Sequence, residues 1–391
     1  MSVKIIVLHR ISNKKLQYEQ VLCHREHEVI YLCLGKADES LPPYARCIVI
    51  PGNQFDEALL VEQYEHLLRS SDVLIARSEF DLIVGARLRE RFGISGEHTK
   101  DVMPYRNKLM MRELADQAGI VQPEFFTVSA FSEREGLTGL FVLKPHSEAA
   151  SNGIVVGNMS EIQQAIAQLT APSSYLVERF TTGNIWHIDG WRYQGKVQGC
   201  IPSLYLGNCL EHAEGAPLGS IQQPLTETLL TLTQNILDAL GGSNGSFHLE
   251  LIEVEAGHYH FLEVASRVGG AGVAQTFALR TGVNLYHVDL CLALGQTITY
   301  DVLTDKAPFY GWFVYTPTIT PQKEKVEAAL KHAEPHLHSY TYNPNYVSFA
   351  HQNSYAEEAN LLTGVTVGSV EQMTNTLDTL FKFCEISEAA A

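Results

Sequence analysis

Residues 247–264 have the sequence FHLELIEVEAGHYHFLEV, whose alternation of apolar and polar side chains predicts a β-hairpin. With residues 256 and 257 as a two-residue loop, counting back along both strands places Glu250 opposite Glu263. Cross-strand Cβ atoms lie roughly 4.5–5.5 Å apart, so the two carboxylates repel each other unless a cation lies between them. This pair is the feature around which we interpret the rest of the chain.

A hard divalent cation would relieve the repulsion. Mg²⁺ takes oxygen ligands and commonly uses one or two carboxylates together with substrate phosphates. Arg267 lies four residues after Glu263, so its guanidinium projects to the same side if the chain stays extended. However, Ala-Gly is a poorer hairpin loop than Asn-Gly, and a bulge would shift the register by one residue. The residues alone therefore favour a metal–nucleotide site and an ordinary hairpin about equally.

Two lysines and two loops are further candidate contacts for an anion. Lys108 lies in the first turns of a predicted helix, and Lys144 ends the apolar run 141–143. The loop 145–153 is rich in small residues and could close over phosphates, while the glycines of 268–272 could bring backbone amides close to an anion. A solvated lysine and a glycine turn are the ordinary alternatives.

The first hundred residues alternate short apolar runs with helical periodicity, which predicts a small parallel α/β layer. The predicted strands are 3–8, 29–33, 47–50 and 73–76, and the predicted helices are 14–24, 58–68 and 82–92. No GxGxxG sequence follows the first strand, so a dinucleotide-binding loop is not indicated. We therefore predict that this layer is a scaffold.

The rest of the chain predicts antiparallel strands mixed with helices. Pro104 is predicted to open a helix over 105–118 that Gly119 ends. Strands are predicted at 125–128, 140–145, 154–156, 175–179 and 309–316, and strand pairs at 186–205 and 246–265. Helices are predicted at 161–169, 225–240, 323–333 and 370–383.

Composition and charge limit the class of protein. The chain has 391 residues, of which 45% are hydrophobic and 18% charged, so two or three packed subdomains are expected. A formal net charge of −16 would repel nucleic acid. Without an apolar run of roughly 20 residues or a signal-peptide core, we predict a cytoplasmic protein with no membrane partner. The seven cysteines form no CxxC pair for a zinc site.

Five segments occur in an order and spacing that resembles the ATP-grasp superfamily, and more narrowly the carboxylate–amine ligases that include L-amino-acid ligases. The segments are YRNKLMMR at 105–112, VLKP at 142–145, LVERF at 176–180, HLE at 248–250 and EVASRVGG at 263–270. Residues 75–81 and 93–96 are similar to the domain that precedes the grasp in the same proteins. The resemblance extends over residues 1–300.

The resemblance implies an α/β protein, α+β in its catalytic part, with the ATP-grasp fold. Four parts are implied: an N-terminal parallel preATP-grasp domain (1–103), a first ATP-grasp subdomain (104–180), a second one carrying the hairpin (181–300), and a C-terminal subdomain packed on the grasp (301–391). ATP and Mg²⁺ are the implied cofactors, with Mn²⁺ as an alternative ion.

The resemblance also assigns residues to the nucleotide. Its two lysines hold phosphates, the second of them also lying near the adenine, and residues 178–180 match a hinge whose backbone pairs with the adenine edge. The assigned residues are Lys108, Lys144, Ser147, Gly153, Glu178, Arg179, Phe180, His187 and Asp189. The acid that binds ribose has no certain match: His187 and Asp189 are candidates, and a core histidine and a turn aspartate are equally open.

The metal and substrate contacts follow in the same way. Glu250 and Glu263 match the magnesium ligands. Arg267 matches the catalytic arginine that contacts the transferred phosphate and the substrate carboxylate, and Gly269 and Gly270 match the adjoining substrate loop.

Two departures from the family pattern concern the metal. Asn107 stands where an aspartate is common, and Ala265 stands where an asparagine is common. One magnesium ligand is therefore expected to be lost, with water and phosphate oxygens completing the coordination. For the base that deprotonates the amine, His248 and His187 are candidates; His248 is also assigned to the substrate, and both could equally be packed neutral histidines.

The implied activity is the ATP-dependent ligation of a carboxylate and an amine through an acylphosphate, with release of ADP and phosphate. A kinase that stops after phosphorylation and a nucleotide-binding regulator without turnover are the alternatives. The expected substrates are small molecules, namely an amino acid or small carboxylic acid and an amine. A homodimer is expected by analogy with enzymes of this kind.

Overall fold

The N-terminal sheet is parallel throughout, with strand order β3-β2-β1-β4. Its strands are β1 (Lys4–His9), β2 (Glu28–Leu34), β3 (Arg46–Ile50) and β4 (Val73–Ala76), and the helices around it are α1 (Asn13–Leu16), α2 (Glu57–Arg69) and α3 (Leu82–Phe92). The chain is described here from a computed structural model over residues 2–148, 153–242, 244–296, 298, 308–318, 320–346 and 360–385. The prediction of an α/β layer is confirmed.

The first predicted helix is much shorter than expected. Helix α1 ends after Leu16, because Gln17 adopts a left-handed φ of 50° and the Asn13 side chain accepts a hydrogen bond from Tyr18 N at 2.9 Å. A single 3-10 turn follows at Tyr18–Gln20. The predicted helix 14–24 is therefore wrong beyond its first turn.

The predicted helix 105–118 is two helices, α4 (Thr99–Arg106) and α5 (Lys108–Gln117). Asn107 separates them with extended dihedral angles, and its side chain caps α5 by accepting from Met110 N at 3.1 Å. Pro104 lies inside α4 and does not open a helix. Because of this break, Lys108 stands at the first position of α5.

Two antiparallel sheets form the rest of the molecule. The smaller has strand order β5-β8-β6-β7, and the larger has the order β13-β12-β9-β10-β11-β14-β16-β15. The smaller sheet and its helices are β5 (Phe125–Thr127), α6 (Val128–Ser132), β6 (Leu140–Pro145), β7 (Val155–Asn158), α7 (Met159–Ala167) and β8 (Tyr175–Arg179). The larger sheet and its helices are β9 (Asn184–Tyr193), β10 (Lys196–Leu206), α8 (Cys209–Ala213), β11 (Leu218–Gln222), α9 (Glu227–Leu240), β12 (Gly245–Glu255), β13 (His258–Ala265), α10 (Val273–Thr281), α11 (Leu285–Ala293), β14 (Phe309–Tyr315), α12 (Lys323–Ala333), β15 (Leu337–Tyr342), β16 (Leu362–Gly368) and α13 (Val370–Glu385).

The predicted boundary at residue 180 falls between the two antiparallel sheets. The predicted C-terminal part contributes β14, β15 and β16, which are hydrogen-bonded into the same sheet as the hairpin. A shared core fixes the N-terminal layer against this sheet, with Val7 and Tyr31 in the same buried cluster as Trp191 and Phe277. Over the described ranges, no helix is long and apolar enough to cross a membrane.

The hairpin has the register that the sequence predicts. Glu255 pairs with His258, and Glu250 pairs with Glu263. Two irregularities lie between them, after Glu250 and after Glu253. They shift the register in opposite senses, so the second cancels the first and both carboxylates keep the same face.

Candidate active site

A cavity of about 420 Å³ lies between the smaller antiparallel sheet and the hairpin of the larger one. Its apolar walls are supplied by Val142, Ile154, Ile185, Ile252 and Leu262. Seven residues assigned from the sequence line it: Lys108, Lys144, Glu178, Arg179, Phe180, Glu250 and Glu263. A concave, largely apolar chamber with a few charged groups at one end suits a ligand of nucleotide size.

Glu178 is buried at the cavity wall between two cations. Arg112 donates from Nε to Glu178 Oε1 at 2.7 Å and from Nη2 to Oε2 at 3.1 Å. Lys144 Nζ lies 2.7 Å from Oε2. Burial would raise the pKa of Glu178, but Arg112 and Lys144 hold it at about 2. The carboxylate is therefore ionised, and it fixes the position of the Lys144 ammonium.

The hinge that follows Glu178 lines the cavity through residues 179–183. Phe180 N donates to Leu140 O at 2.9 Å, and Arg179 N donates to Glu124 O at 2.8 Å, so both amides are used within the smaller sheet. The predicted pairing of this backbone with adenine stays a prediction.

Glu250 and Glu263 face the cavity from neighbouring strands. Lys108 Nζ lies 3.4 Å from Glu263 Oε2. Burial raises the pKa of Glu263, but Lys108 and Lys144 hold it below its ordinary value. Glu250 Oε1 accepts from Tyr205 OH at 3.1 Å. Two carboxylates on one face, each in contact with a neighbouring side chain, fit the oxygen-only donor set of Mg²⁺.

A chain of hydrogen bonds continues from Glu250 along the same face of the sheet. His248 Nε2 lies 3.4 Å from Glu250 Oε1, and His248 Nδ1 lies 2.8 Å from Asp189 Oδ1. Asp189 Oδ2 lies 2.5 Å from His187 Nδ1, and His187 Nε2 lies 2.6 Å from Ser220 Oγ. The imidazoles and the carboxylate satisfy each other at hydrogen-bond distance, so we assign no metal to this cluster. Burial lowers the pKa of His248, but Asp189 and Glu250 raise it to about 10.

The position of His187 and Asp189, which the resemblance assigns to the nucleotide, follows from the strand register, and their role stays a prediction. Along β9 and β12, the cavity pair Ile185–Ile252 comes first, then His187–Glu250, then Asp189–His248. The two residues therefore lie beyond the carboxylates on the side away from the hinge, and the residues lining the cavity do not include them. Both lie beside His248.

Gly269 packs so closely against this cluster that no side chain fits at its position. A Cβ atom at Gly269 would lie 2.5 Å from Asp189 Oδ1 and 2.8 Å from His248 Nδ1, whereas one at Gly270 would meet open space. The segment after β13 therefore packs its backbone directly against Asp189 and His248. The assignment of Gly269 to a substrate loop stays a prediction.

Arg267 begins the same segment and is bonded to the N-terminal layer. Its Nε donates to Glu79 Oε2 at 2.6 Å, and its Nη1 donates to Val268 O at 2.9 Å. Arg106 donates from Nη1 to Glu79 Oε1 and from Nη2 to Ser147 O at 2.6 Å. Glu79 thus holds two guanidiniums at the edge of the site.

The predicted phosphate loop is described only at its two ends. Ser147 accepts the bond from Arg106 through its carbonyl, and Gly153 has a left-handed φ of 71°. Glu148 O accepts from Lys108 Nζ at 2.8 Å. Residues 149–152 lie outside the described residues, and a contact of Ser147 or Gly153 with phosphate stays a prediction.

The chain is similar to known ligases in sequence and in structure. No protein-family model matches the chain. Over 238 residues it is 22% identical to an L-arginine-specific L-amino acid ligase of Bacillus subtilis, an alignment that covers 57% of this chain and 58% of that ligase. The match thus spans less than two thirds of that relative's length.

Solved structures resemble the chain over nearly its whole length. A crystal structure of an L-amino acid ligase from Bacillus licheniformis matches with a TM-score of 0.70, 19% identity and 96% coverage of both chains. A carboxyaminoimidazole ribonucleotide synthase from Aspergillus clavatus, complexed with ATP, matches with a TM-score of 0.69, 14% identity and coverage of 98% of this chain and 99% of that one. The chain has the ATP-grasp fold. The fold prediction is confirmed.

Within this ATP-grasp fold, sequence reasoning missed four side chains that hold the assigned residues in place. They are Arg112, which is bonded to Glu178, Tyr205, which is bonded to Glu250, Glu79, which is bonded to Arg267, and Arg106, which is bonded to Glu79 and to Ser147 O. Three of the four lie inside segments that carried the resemblance, namely 75–81 and 105–112. A buried charged side chain needs a partner, so the burial expected for the assigned charged residues was a signal that such partners exist.

We expect Glu178→Gln to lower the free energy of unfolding by about 3–5 kcal/mol at pH 7, because Arg112 and Lys144 would both lose the buried carboxylate to which they are bonded. The folded pKa of about 2 lies below the ordinary value of 4.5, so the carboxylate stabilises the protein fully above pH 4.5 and progressively less as the pH falls toward 2. Urea unfolding between pH 7 and pH 3 should show the difference from wild type shrinking as the pH falls.

Glu124→Gln is the matched control, since Glu124 is an exposed acid paired with Arg179. Its effect should stay below about 1 kcal/mol. A Glu178→Gln deficit that is independent of pH would contradict the ion-pair explanation.

Proposed function

We propose that the protein is an ATP-dependent carboxylate–amine ligase that forms an amide bond through an acylphosphate and releases ADP and phosphate. The observation that carries the proposal is the Glu250–Glu263 pair at the wall of the cavity, with Lys108 and Lys144 in the same wall and Arg267 four residues after Glu263. These charged side chains lie together where the triphosphate of ATP would contact the substrate carboxylate.

Different residues of the cavity have different proposed roles toward ATP and the metal. Residues 178–183 form the adenine end of the chamber, and Lys144 and Lys108 bind phosphate oxygens. Glu250 and Glu263 would hold Mg²⁺, which would supply positive charge against the charge that develops on the phosphate oxygens. Asn107 caps α5 with its side chain, so it supplies no further ligand from that position. The donor set of the metal would then consist of these two carboxylates, water and phosphate oxygens.

The chemistry needs no nucleophilic side chain. The substrate carboxylate attacks the γ-phosphorus of ATP, the bond to the β-phosphate oxygen breaks, and ADP leaves. The amine then attacks the acylphosphate carbonyl and expels phosphate. Arg267 would orient the carboxylate for the first step and stabilise the oxyanion of the second. The base that accepts the proton of the amine is not assigned.

Two amino acids are the substrates that the similar proteins favour. The Bacillus subtilis relative is L-arginine-specific, and the Bacillus licheniformis structure is that of an L-amino acid ligase. On the acid side, the carboxylate would meet Arg267, and the backbone at Gly269 would cover it. A homodimer stays a prediction.

The deciding experiment is a screen of amino-acid pairs with ATP and MgCl₂. Phosphate release and the mass of the product are measured for each pair, with each single amino acid as the control. Phosphate release that requires both partners, together with a dipeptide mass, supports the ligase. ADP formation with one acid, trapped by hydroxylamine as a hydroxamate but never converted to an amide, indicates a kinase, and no turnover across the panel indicates a regulator.

A further inference from the structure

A buried carboxylate of the N-terminal layer connects three separate segments of the site. Glu79 lies in the turn after β4 and is 4% exposed. It is bonded to Arg267 in the segment after β13 and to Arg106 at the end of α4. Arg106 donates in turn to Ser147 O at the start of the loop after β6. Glu79 thereby connects Arg267 with Arg106 and, through Arg106, with Ser147 at the start of the loop.

Glu79 lies among several cations. Arg267 and Arg106 are both bonded to it, and Lys108 lies close enough to act on its charge. Burial raises the pKa of Glu79, but Arg267 and Arg106 hold it below its ordinary value. A substrate carboxylate has the charge and the planar shape that a guanidinium such as that of Arg267 binds.

The geometry also restricts how Arg267 can turn. An arginine side chain has several rotatable bonds, but here Nε is held by the Glu79 carboxylate of the N-terminal layer and Nη1 by the backbone carbonyl of Val268. These two bonds fix the plane of the guanidinium before a ligand binds. A guanidinium that is already oriented loses less conformational freedom when it grips a carboxylate.

We propose that Glu79 is a positioning residue for the ligation, which sets the orientation of the Arg267 guanidinium and, through Arg106, ties the loop end at Ser147 to it. The inference rests on the proposed function and extends it, because it gives the N-terminal layer a part in recognising the acid substrate. This layer was predicted to be a scaffold only.

Glu79→Gln tests the proposal, since it keeps the shape and removes the charge. The kcat/KM for the acid substrate should fall by about 10²-fold, because a small misplacement of a positioning group has an effect of that size. The Kd for ATP, measured by calorimetry, should change less than about threefold. Asp81→Asn is the matched control: Asp81 is equally buried, lies two residues further on, and is bonded to Arg10 instead of to the site. It should keep the kinetic constants of the wild type.

Hydrogen–deuterium exchange supplies a readout that does not need turnover. In Glu79→Gln, the amides of 146–148 and 266–270 should exchange faster than in wild type, whereas in Asp81→Asn they should not. Wild-type kinetics and exchange in Glu79→Gln would overturn the positioning role and leave the ligase proposal intact. If the wild type turns over no pair, the ligase proposal fails, and the exchange result still decides whether Glu79 couples the segments.

Should Glu79→Gln not fold, Glu79→Asp replaces it in both measurements. Aspartate keeps the charge but is one methylene shorter, so it cannot reach both guanidiniums as glutamate does. We expect a loss of about tenfold in kcat/KM for the acid, with ATP binding retained. Unchanged constants in this variant would overturn the proposal.

Discussion

Glu250→Gln and Glu263→Gln should each reduce ATP-dependent phosphate release by about 10³-fold or more. Each substitution replaces a carboxylate by a neutral amide in a site whose only assigned metal ligands are these two side chains. Neutralisation of the phosphate charge by a bound cation is worth several kcal/mol in the transition state, and about 4 kcal/mol corresponds to a factor of 10³. Initial rates of phosphate release over a range of MgCl₂ concentrations measure the loss.

Glu255→Gln is the control for this pair. Glu255 lies on the same strand as Glu250, is exposed, and is absent from the residues that line the cavity. It should retain the wild-type rate. Binding of Mn²⁺ in the presence of ATP, followed by electron paramagnetic resonance, gives a second readout that should weaken in the two site variants alone. A wild-type rate in Glu263→Gln would remove the observation on which the ligase proposal rests.

The carboxylate pair was predictable because a hairpin needs only local information. The loop at residues 256 and 257 and the alternation of side chains determine which residues face each other. The sequence did not show the two register irregularities within the hairpin, after Glu250 and after Glu253. The prediction of Glu250 opposite Glu263 is confirmed because these irregularities cancel.

Side-chain caps explain the two helices that were predicted wrongly. Asn13 and Asn107 each lie in a stretch with helical periodicity, and each uses its side-chain oxygen to accept a backbone N–H. An asparagine side chain competes with the helical backbone for such bonds. The bond of Asn13 lies at the end of α1, and the bond of Asn107 lies at the start of α5. Periodicity of apolar residues does not show this competition.

Strands β11, β15 and β16 were not predicted, because their stability comes from distant partners. Strand β11 contains Gly219 and Ser220, which are poor strand formers, but it is buried between β10 and β14. In β16, Gly364 is packed so closely against Phe313 that no side chain fits there. Packing between segments far apart in the chain decides these cases.

The same limit applies to the charged groups of the site. The sequence motifs indicated Lys144, Glu178 and Arg267, but their partners come from segments far apart in the chain, with Glu79 and Arg267 separated by 188 residues. His187 and Asp189 were expected to face the nucleotide, and that role stays a prediction. Only the pairing of β9 with β12 shows that they lie beyond Glu250.

Arg267→Lys should lower kcat/KM for the acid substrate by about 10²–10³-fold, which is the effect of removing one donor to a developing oxyanion. Lysine carries the same charge, but it is a point charge without the planar fork, so it cannot bind Glu79 and a substrate carboxylate at the same time. The Kd for ATP should change little, because Arg267 is not among the residues that line the cavity. Amide and ADP are measured together for each substrate pair.

Arg192→Lys is the matched control, since Arg192 is also a buried arginine of the large sheet region and is paired with Asp238 away from the site. It should lower stability but leave the kinetic constants near those of the wild type. In Arg267→Lys, amide and ADP should fall by the same factor, because the guanidinium orients the carboxylate before the phosphoryl group is transferred. Continued ADP formation without amide would instead confine Arg267 to the second step, and kinetic constants equal to those of the wild type would exclude it from both.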